Sequence, residues 1–129
     1  MAYVYDKAED LVTDPPTANV GTGHCVPLVR EYAKCPETDK WAAGVTVRGD
    51  STISKGTAIA TFVDGKYPNN STGNHAALYL EQDNEGVWVV DQYKNSNGIK
   101  RRRLKFKGKK PTGEYVDPSN NGDAFSVIE

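Results

Sequence analysis

A length of 129 residues bounds the chain to one domain with a single modest core. With 37% hydrophobic and 26% charged residues the composition is that of a globular, turn-rich domain, and the absence of any run of 18 apolar residues excludes a membrane-spanning helix. The net charge of −1 conceals an asymmetry: residues 100–110 hold eight of the sixteen basic residues and no acid, so the other eight face seventeen acidic residues and the remainder carries −9.

Residues 1–20 are polar and end in Asp14-Pro15-Pro16-Thr17, which cannot continue a helix; the segment is expected to lie over the body of the domain. The first ten residues have neither a basic nor an apolar signal region, so no secretory signal peptide is expected there. Action outside the cytoplasm would then need a dedicated secretion route or lysis. A glycine-rich turn, Gly21-Thr22-Gly23-His24, leads into a predicted helix over 25–34, with Val26, Val29, Tyr32 and Ala33 on one apolar face and Cys35-Pro36 as the stop. Pro27 is tolerated in a first turn but leaves open a helix start beyond Cys25.

Residues 41–49 read as a buried connection with turn glycines. Residues 56–62 predict a strand, with Ala58, Ala60 and Phe62 on one face and Ile59 and Thr61 on the other. Asp64-Gly65 and the polar run 69–73 are turn signals. Residues 75–81 and 87–93 predict a hairpin closed by Gln82-Asp83-Asn84-Glu85-Gly86. Arg103 to Lys107 alternates as a charged edge strand does, and 124–128 reads as a short final strand after a Gly/Pro/Asn-rich loop. One early helix followed by antiparallel strands is an α+β pattern.

The chain holds two cysteines and two histidines. Cys25 at a helix start, His75 at the start of one strand and Asp91 at the end of the next form an activated-nucleophile layout. The thiolate attacks, the imidazole moves the proton and the carboxylate orients the imidazole. A helix N-terminus lowers a thiol pKa, and its free N–H groups can hold an oxyanion. Gly21 and Gly23 allow close approach of a substrate. Asp91 is the sharper signal, because a carboxylate after Val87-Trp88-Val89-Val90 needs a partner. Gln92 falls on the opposite face of a regular strand, and a one-residue slip would exchange the two.

A Cys25–Cys35 disulfide is disfavoured: ten helical residues span about 15 Å, whereas a bridge needs Cα atoms within roughly 7 Å. A metal site would draw on His24, Cys25, His75 and Asp91. No HxxxH or CxxC spacing supports one, so neither a metal nor another cofactor is expected. The basic segment favours an anionic partner or is a solvated face. A nucleic-acid-binding module built on it is the rival reading, with little aromatic interleaving beyond Phe106 to support it.

Taken together, Gly23-His24-Cys25-Val26-Pro27-Leu28-Val29, Gly56-Thr57-Ala58-Ile59-Ala60, Asn74-His75-Ala76-Ala77-Leu78-Tyr79-Leu80 and Val89-Val90-Asp91-Gln92-Tyr93 resemble the CHAP and NlpC-type cysteine amidases, and more closely the small amidase effectors of type VI secretion. The resemblance covers about residues 20–95. It implies one papain-like amidase domain over 1–129, with a nucleophile helix packed on an antiparallel sheet. Cys25 then matches the nucleophile, His75 the base and Asp91 the orienting group, with Gln92 as the alternative. Gly23, His24, Asn74 and Tyr93 would border the substrate. The chain departs from the CHAP pattern at His24, where Gln is usual, and at Tyr93, where Asn is frequent.

The implied activity is cleavage of an amide bond in the stem peptide or cross-link of peptidoglycan. The implied partner is an immunity protein that protects the producer, and the implied place of action is the periplasm or wall of a target cell. A non-catalytic relative that binds wall peptides is the remaining alternative.

Overall fold

A computed structural model describes residues 2–129. Among the described residues one α-helix, α1 (Cys25–Tyr32), precedes six strands: β1 (Ala43–Thr46), β2 (Ala58–Thr61), β3 (Ala76–Gln82), β4 (Gly86–Asp91), β5 (Lys100–Lys105) and β6 (Phe125–Ile128). They form a single antiparallel sheet in the order β1-β6-β2-β3-β4-β5. The expected hairpin is β3–β4. Its turn is held by the Asp83 carboxylate, whose Oδ1 accepts the N–H groups of Glu85 (2.8 Å) and Gly86 (3.0 Å).

Strand alternation divides the core between the two faces of the sheet. Ala58, Ala60, Ala76, Leu78, Leu80 and Val90 share a cluster with Leu28 and Val29 of α1 and with Leu11 of the N-terminal segment. Ile59, Ala77, Tyr79, Val87, Val89, Leu104, Phe125 and Val127 form the cluster on the other face. The N-terminal segment lies over the domain as expected: the Tyr5 N–H donates to the Gly56 carbonyl (2.9 Å) and the Ala58 N–H to the Tyr3 carbonyl (2.8 Å).

Four expectations change in detail. The helix stops at Tyr32 rather than 34, because Lys34 turns left-handed (φ 63°) and the Cys35 N–H folds back to the Val29 carbonyl (3.4 Å). Its buried face is centred on Leu28 and Val29, while Val26 and Tyr32 are half-buried. Residues 41–49 are not a buried connection: they contain β1, an edge strand largely open to solvent, with only Trp41 and Val47 buried. The basic edge strand starts at Lys100 instead of Arg103, because the register Val87↔Leu104 and Asp91↔Lys100 extends its pairing along the whole of β4. Cys25 and Cys35 are both free thiols.

Leu28 is fully buried between helix and sheet. Leu28→Ala is expected to cost about 2–5 kcal/mol, read as a lower urea midpoint at an unchanged slope.

Candidate active site

The N-terminus of α1 and one end of the β3–β4–β5 sheet meet at Cys25. His24 is the N-cap in extended conformation (φ −71°, ψ 167°), and Cys25 is the first helical residue. Pro27 therefore sits third in the helix, where its missing N–H has no intrahelical acceptor. Gly23 takes φ 87°, a left-handed conformation costly for other residues, and this turns the chain into the helix.

His75 immediately precedes β3. Thr61 holds its backbone: the His75 N–H donates to Thr61 Oγ1 and the His75 carbonyl accepts the Thr61 N–H, both at 3.0 Å. The ring Nε2 lies 2.7 Å from Asp91 Oδ2, which leaves Nδ1 as the ring nitrogen available to another partner.

Strand parity separates Asp91 from Gln92. Asp91 follows Val87 and Val89 on the face that also carries Leu104, and its carboxylate meets His75. Gln92 points the other way. Its Nε2 donates to the carbonyls of His24 (2.7 Å) and Val20 (2.9 Å), and its Oε1 accepts the Val20 N–H (2.8 Å). Gln92 thus does not touch His75; it clamps the turn that delivers Cys25.

Asp91 is fully buried, and Arg102 grips it from the neighbouring strand. Arg102 Nε donates to Oδ1 (3.1 Å) and Oδ2 (2.9 Å), and Nη2 donates to Oδ2 (2.6 Å). Arg102 Nη1 reaches Asn120 Oδ1 (3.3 Å), and the guanidinium lies 5.0 Å from the Tyr93 ring centroid. Tyr67 approaches the thiol itself, with its Oη 3.7 Å from Cys25 Sγ and an Asn74 Nδ2 donor 3.2 Å behind it.

These contacts set the protonation states. Burial alone would raise the Asp91 pKa, but hydrogen bonds and charge from His75 and Arg102 prevail and hold it below the usual carboxylate value. Burial would lower the His75 pKa, yet Asp91 and the Cys25 thiol outweigh it and push the imidazole up to about 9. Burial would also raise the Cys25 pKa; the hydrogen bond and charge of His75, then Tyr67 and the Ala76 N–H, bring it below the ordinary thiol value. The arrangement favours a thiolate–imidazolium pair.

Activity is accordingly expected to rise as pH climbs through the depressed Cys25 pKa and to fall as pH passes about 9, where His75 loses its proton. A pH–rate profile checks both limbs. The stability signs differ for the two buried groups. The raised His75 pKa contributes stability that is complete below 6.5 and lost as pH rises through about 9. The depressed Asp91 pKa contributes stability present above 3.8 and lost as pH falls through its lower folded value.

The thiol opens into a cleft of about 710 Å³. His24, Asn74 and Tyr93 line it, together with the polar loop 69–73, Lys94 and Ser119. Gly23 is not part of the lining; it shapes the turn behind it. Sequence reasoning missed two residues. Arg102 lies one residue before the alternating segment that begins at Arg103, so only the register Val89↔Arg102 places it against β4. Tyr67 lies in a loop without periodicity, where no sequence signal places it near residue 25. Among the described residues no group of three or more His, Cys, Asp or Glu could hold a metal ion, and no helix is long and apolar enough to cross a membrane.

Residues 12–128 match the family described as domesticated amidase effector 2. The chain belongs to that family. It is 40% identical, over 136 aligned residues covering all of both chains, to the type VI secretion amidase effector 2 protein of Salmonella typhi. It is 36% identical over 111 residues to domesticated amidase effector 2 of Ixodes scapularis, across 81% of this chain and 70% of that relative. A solved type 6 secretion amidase effector 2 superposes with a TM-score of 0.89 at 37% identity, covering 98% of this chain and 94% of that one. As a member of the amidase effector 2 family the chain has the expected α+β, papain-like fold and is an amidase, a hydrolase of amide bonds. Membership does not favour a nucleic-acid-binding module or a non-catalytic relative.

Proposed function

We propose that this amidase effector hydrolyses an amide bond in the stem peptide or cross-link of peptidoglycan through a Cys25 nucleophile, a His75 acid–base and an Asp91 orienting carboxylate. The reading is carried by the hydrogen-bonded relay from Arg102 through Asp91 to His75, beside a half-buried thiol that faces an open cleft.

The Cys25 thiolate attacks the peptide carbonyl carbon and forms a tetrahedral oxyanion. The N–H groups of Cys25 and Val26, which have no intrahelical acceptor, are the donors that the helix start offers to that oxygen. The imidazolium of His75 gives its proton to the departing amine, leaving a thioester on Cys25. Water then attacks the thioester while neutral His75 takes one of its protons; the new carboxylic acid leaves, ionising in solvent, and the thiolate–imidazolium pair returns. Asp91 holds the ring in one orientation and stabilises its charge, while Arg102 keeps Asp91 ionised.

In this reading residues 1–129 work as one papain-like amidase domain. The chain is made in the cytoplasm of its producer and acts in the periplasm or wall of a target cell. An immunity protein that covers the cleft is the partner such an activity calls for. The basic segment is partly committed inside the fold: Arg102 pairs with Asp91, Arg103 with Asp83, and Lys107 with Asp117, while Arg101 stacks on Trp88.

The test is to incubate the protein with purified sacculi and identify released fragments by chromatography and mass spectrometry. Peptides with new amino and carboxyl termini on intact glycan are expected, and their masses name the bond. No release, or release of sugars alone, would overturn the substrate assignment.

A further inference from the structure

We infer that Tyr67 is a catalytic residue of this amidase: its hydroxyl donates to the Cys25 sulfur and stabilises the attacking thiolate. The inference rests on Cys25 being the nucleophile.

The direction of the hydrogen bond follows from a chain of donors. The Asn70 backbone N–H can only donate, and it does so to Asn74 Oδ1 at 2.7 Å. That fixes the Asn74 amide with Nδ2 toward Tyr67 Oη, 3.2 Å away. An amide NH₂ cannot accept, so Tyr67 Oη is the acceptor there and its own hydrogen is left for another atom. Cys25 Sγ, 3.7 Å away, is the atom that takes it.

The phenol is also held in place. Tyr67 is 8% exposed, and its ring packs on Trp41 with centroids 4.9 Å apart. Trp41 is tied in turn by its Nε1 donating to the Pro36 carbonyl at 2.9 Å. The Asn74 carbonyl accepts Ser119 Oγ at 3.2 Å, which fixes the backbone of the donor behind the phenol. A positioned donor in a partly dry site stabilises developing or resident charge more than water does. Burial, and then the neighbouring Cys25 charge, raise the Tyr67 pKa, so the phenol remains a donor throughout the working range.

Several groups with charge or titratable protons surround the thiol. His75 faces it from the start of β3 and Tyr67 from the loop after β2. His24 and Lys94 stand on the cleft wall, and Asp91 and Arg102 stand behind His75. Tyr67 differs from His75 in donating without changing its own protonation state. Asn74 acquires a role beyond the substrate contact expected of it, because it aims the phenol.

The experiment reads the thiol directly. Wild type, Tyr67→Phe, Asn74→Ala and the double variant are alkylated with iodoacetamide across pH, followed by intact mass, with peptide mapping to separate the two cysteines. Cys35, buried with its pKa raised to about 12, reacts far more slowly. Tyr67→Phe is expected to raise the Cys25 midpoint by about one unit, a roughly tenfold slower reaction at acid pH that converges with wild type above the midpoint. The acid limb of the hydrolysis profile moves with it. Asn74→Ala moves the midpoint in the same direction by less, and adds nothing in the double variant.

An unchanged midpoint in folded Tyr67→Phe overturns the inference. If that variant fails to fold by circular dichroism, an unchanged midpoint in Asn74→Ala overturns it instead. Because alkylation needs no sacculus, a shifted midpoint in a protein that leaves sacculi intact would sink only the peptidoglycan assignment.

Discussion

Cys25→Ala lowers hydrolysis by about 10⁴-fold or more while the fold persists. No other group replaces the sulfur: Cys35 is buried at the far end of α1 with its pKa pushed up, and Tyr67 stays protonated beside the vacated position. The structural cost is small, because Cys25 is only half-buried and alanine is the best helix former. Product release measured by chromatography, together with a thermal melt followed by circular dichroism, separates the two effects. A variant that melts like wild type and still cuts would remove Cys25 from the chemistry.

Asp91→Ala is the second large effect, and it acts on both activity and stability. The carboxylate is fully buried and is shared between His75 and Arg102. Its loss leaves a guanidinium without its counter-charge and an imidazole without its orienting acceptor. The expected stability cost is about 3–5 kcal/mol, a large part of the roughly 5–15 kcal/mol that holds a typical domain together. The expected loss of rate is about 10⁴-fold, the magnitude seen when the analogous carboxylate of a hydrolase triad is neutralised.

A second substitution separates the two roles of Asp91. Arg102→Leu added to Asp91→Ala removes the orphaned charge and returns part of the stability, but no activity. Urea denaturation and steady-state rates of the single and double variants provide the comparison. Asp91→Asn keeps the volume and removes the charge that raises His75, so the alkaline limb moves below about 9.

Much of this site was legible from residue type and order. Cys25 after a glycine-rich turn, His75 opening a strand and Asp91 closing the next are residues whose chemistry is specific and whose neighbours are local. The choice between Asp91 and Gln92 depended on strand parity, which the alternation of Val87, Trp88, Val89 and Val90 already carried and the pairing of β3 with β4 decides. Gln92 could be assigned no partner from sequence, because its acceptors at Val20 and His24 are some seventy residues away and lie on backbone atoms.

Tyr67 and Arg102 were opaque for a related reason. Their roles arise from loop geometry and from the register of an edge strand, neither of which periodicity encodes. The helix end was misplaced because Lys34 adopts a left-handed conformation more usual for glycine or asparagine. Residues 41–49 misled in the opposite direction. Trp41 and Val47 are buried, but they bracket a strand whose middle faces solvent, so apolar composition there does not mean burial.

If Cys25 carries the acyl group of a cleaved peptide, a rapid acid quench during turnover of soluble, cross-linked peptidoglycan fragments traps it. Peptide mass mapping of the quenched protein then locates any adduct. The predicted result is a thioester on Cys25 with the mass of the acyl-side peptide, released by hydroxylamine. Turnover with unmodified Cys25 throughout the time course, together with retained activity in Cys25→Ala, would contradict it.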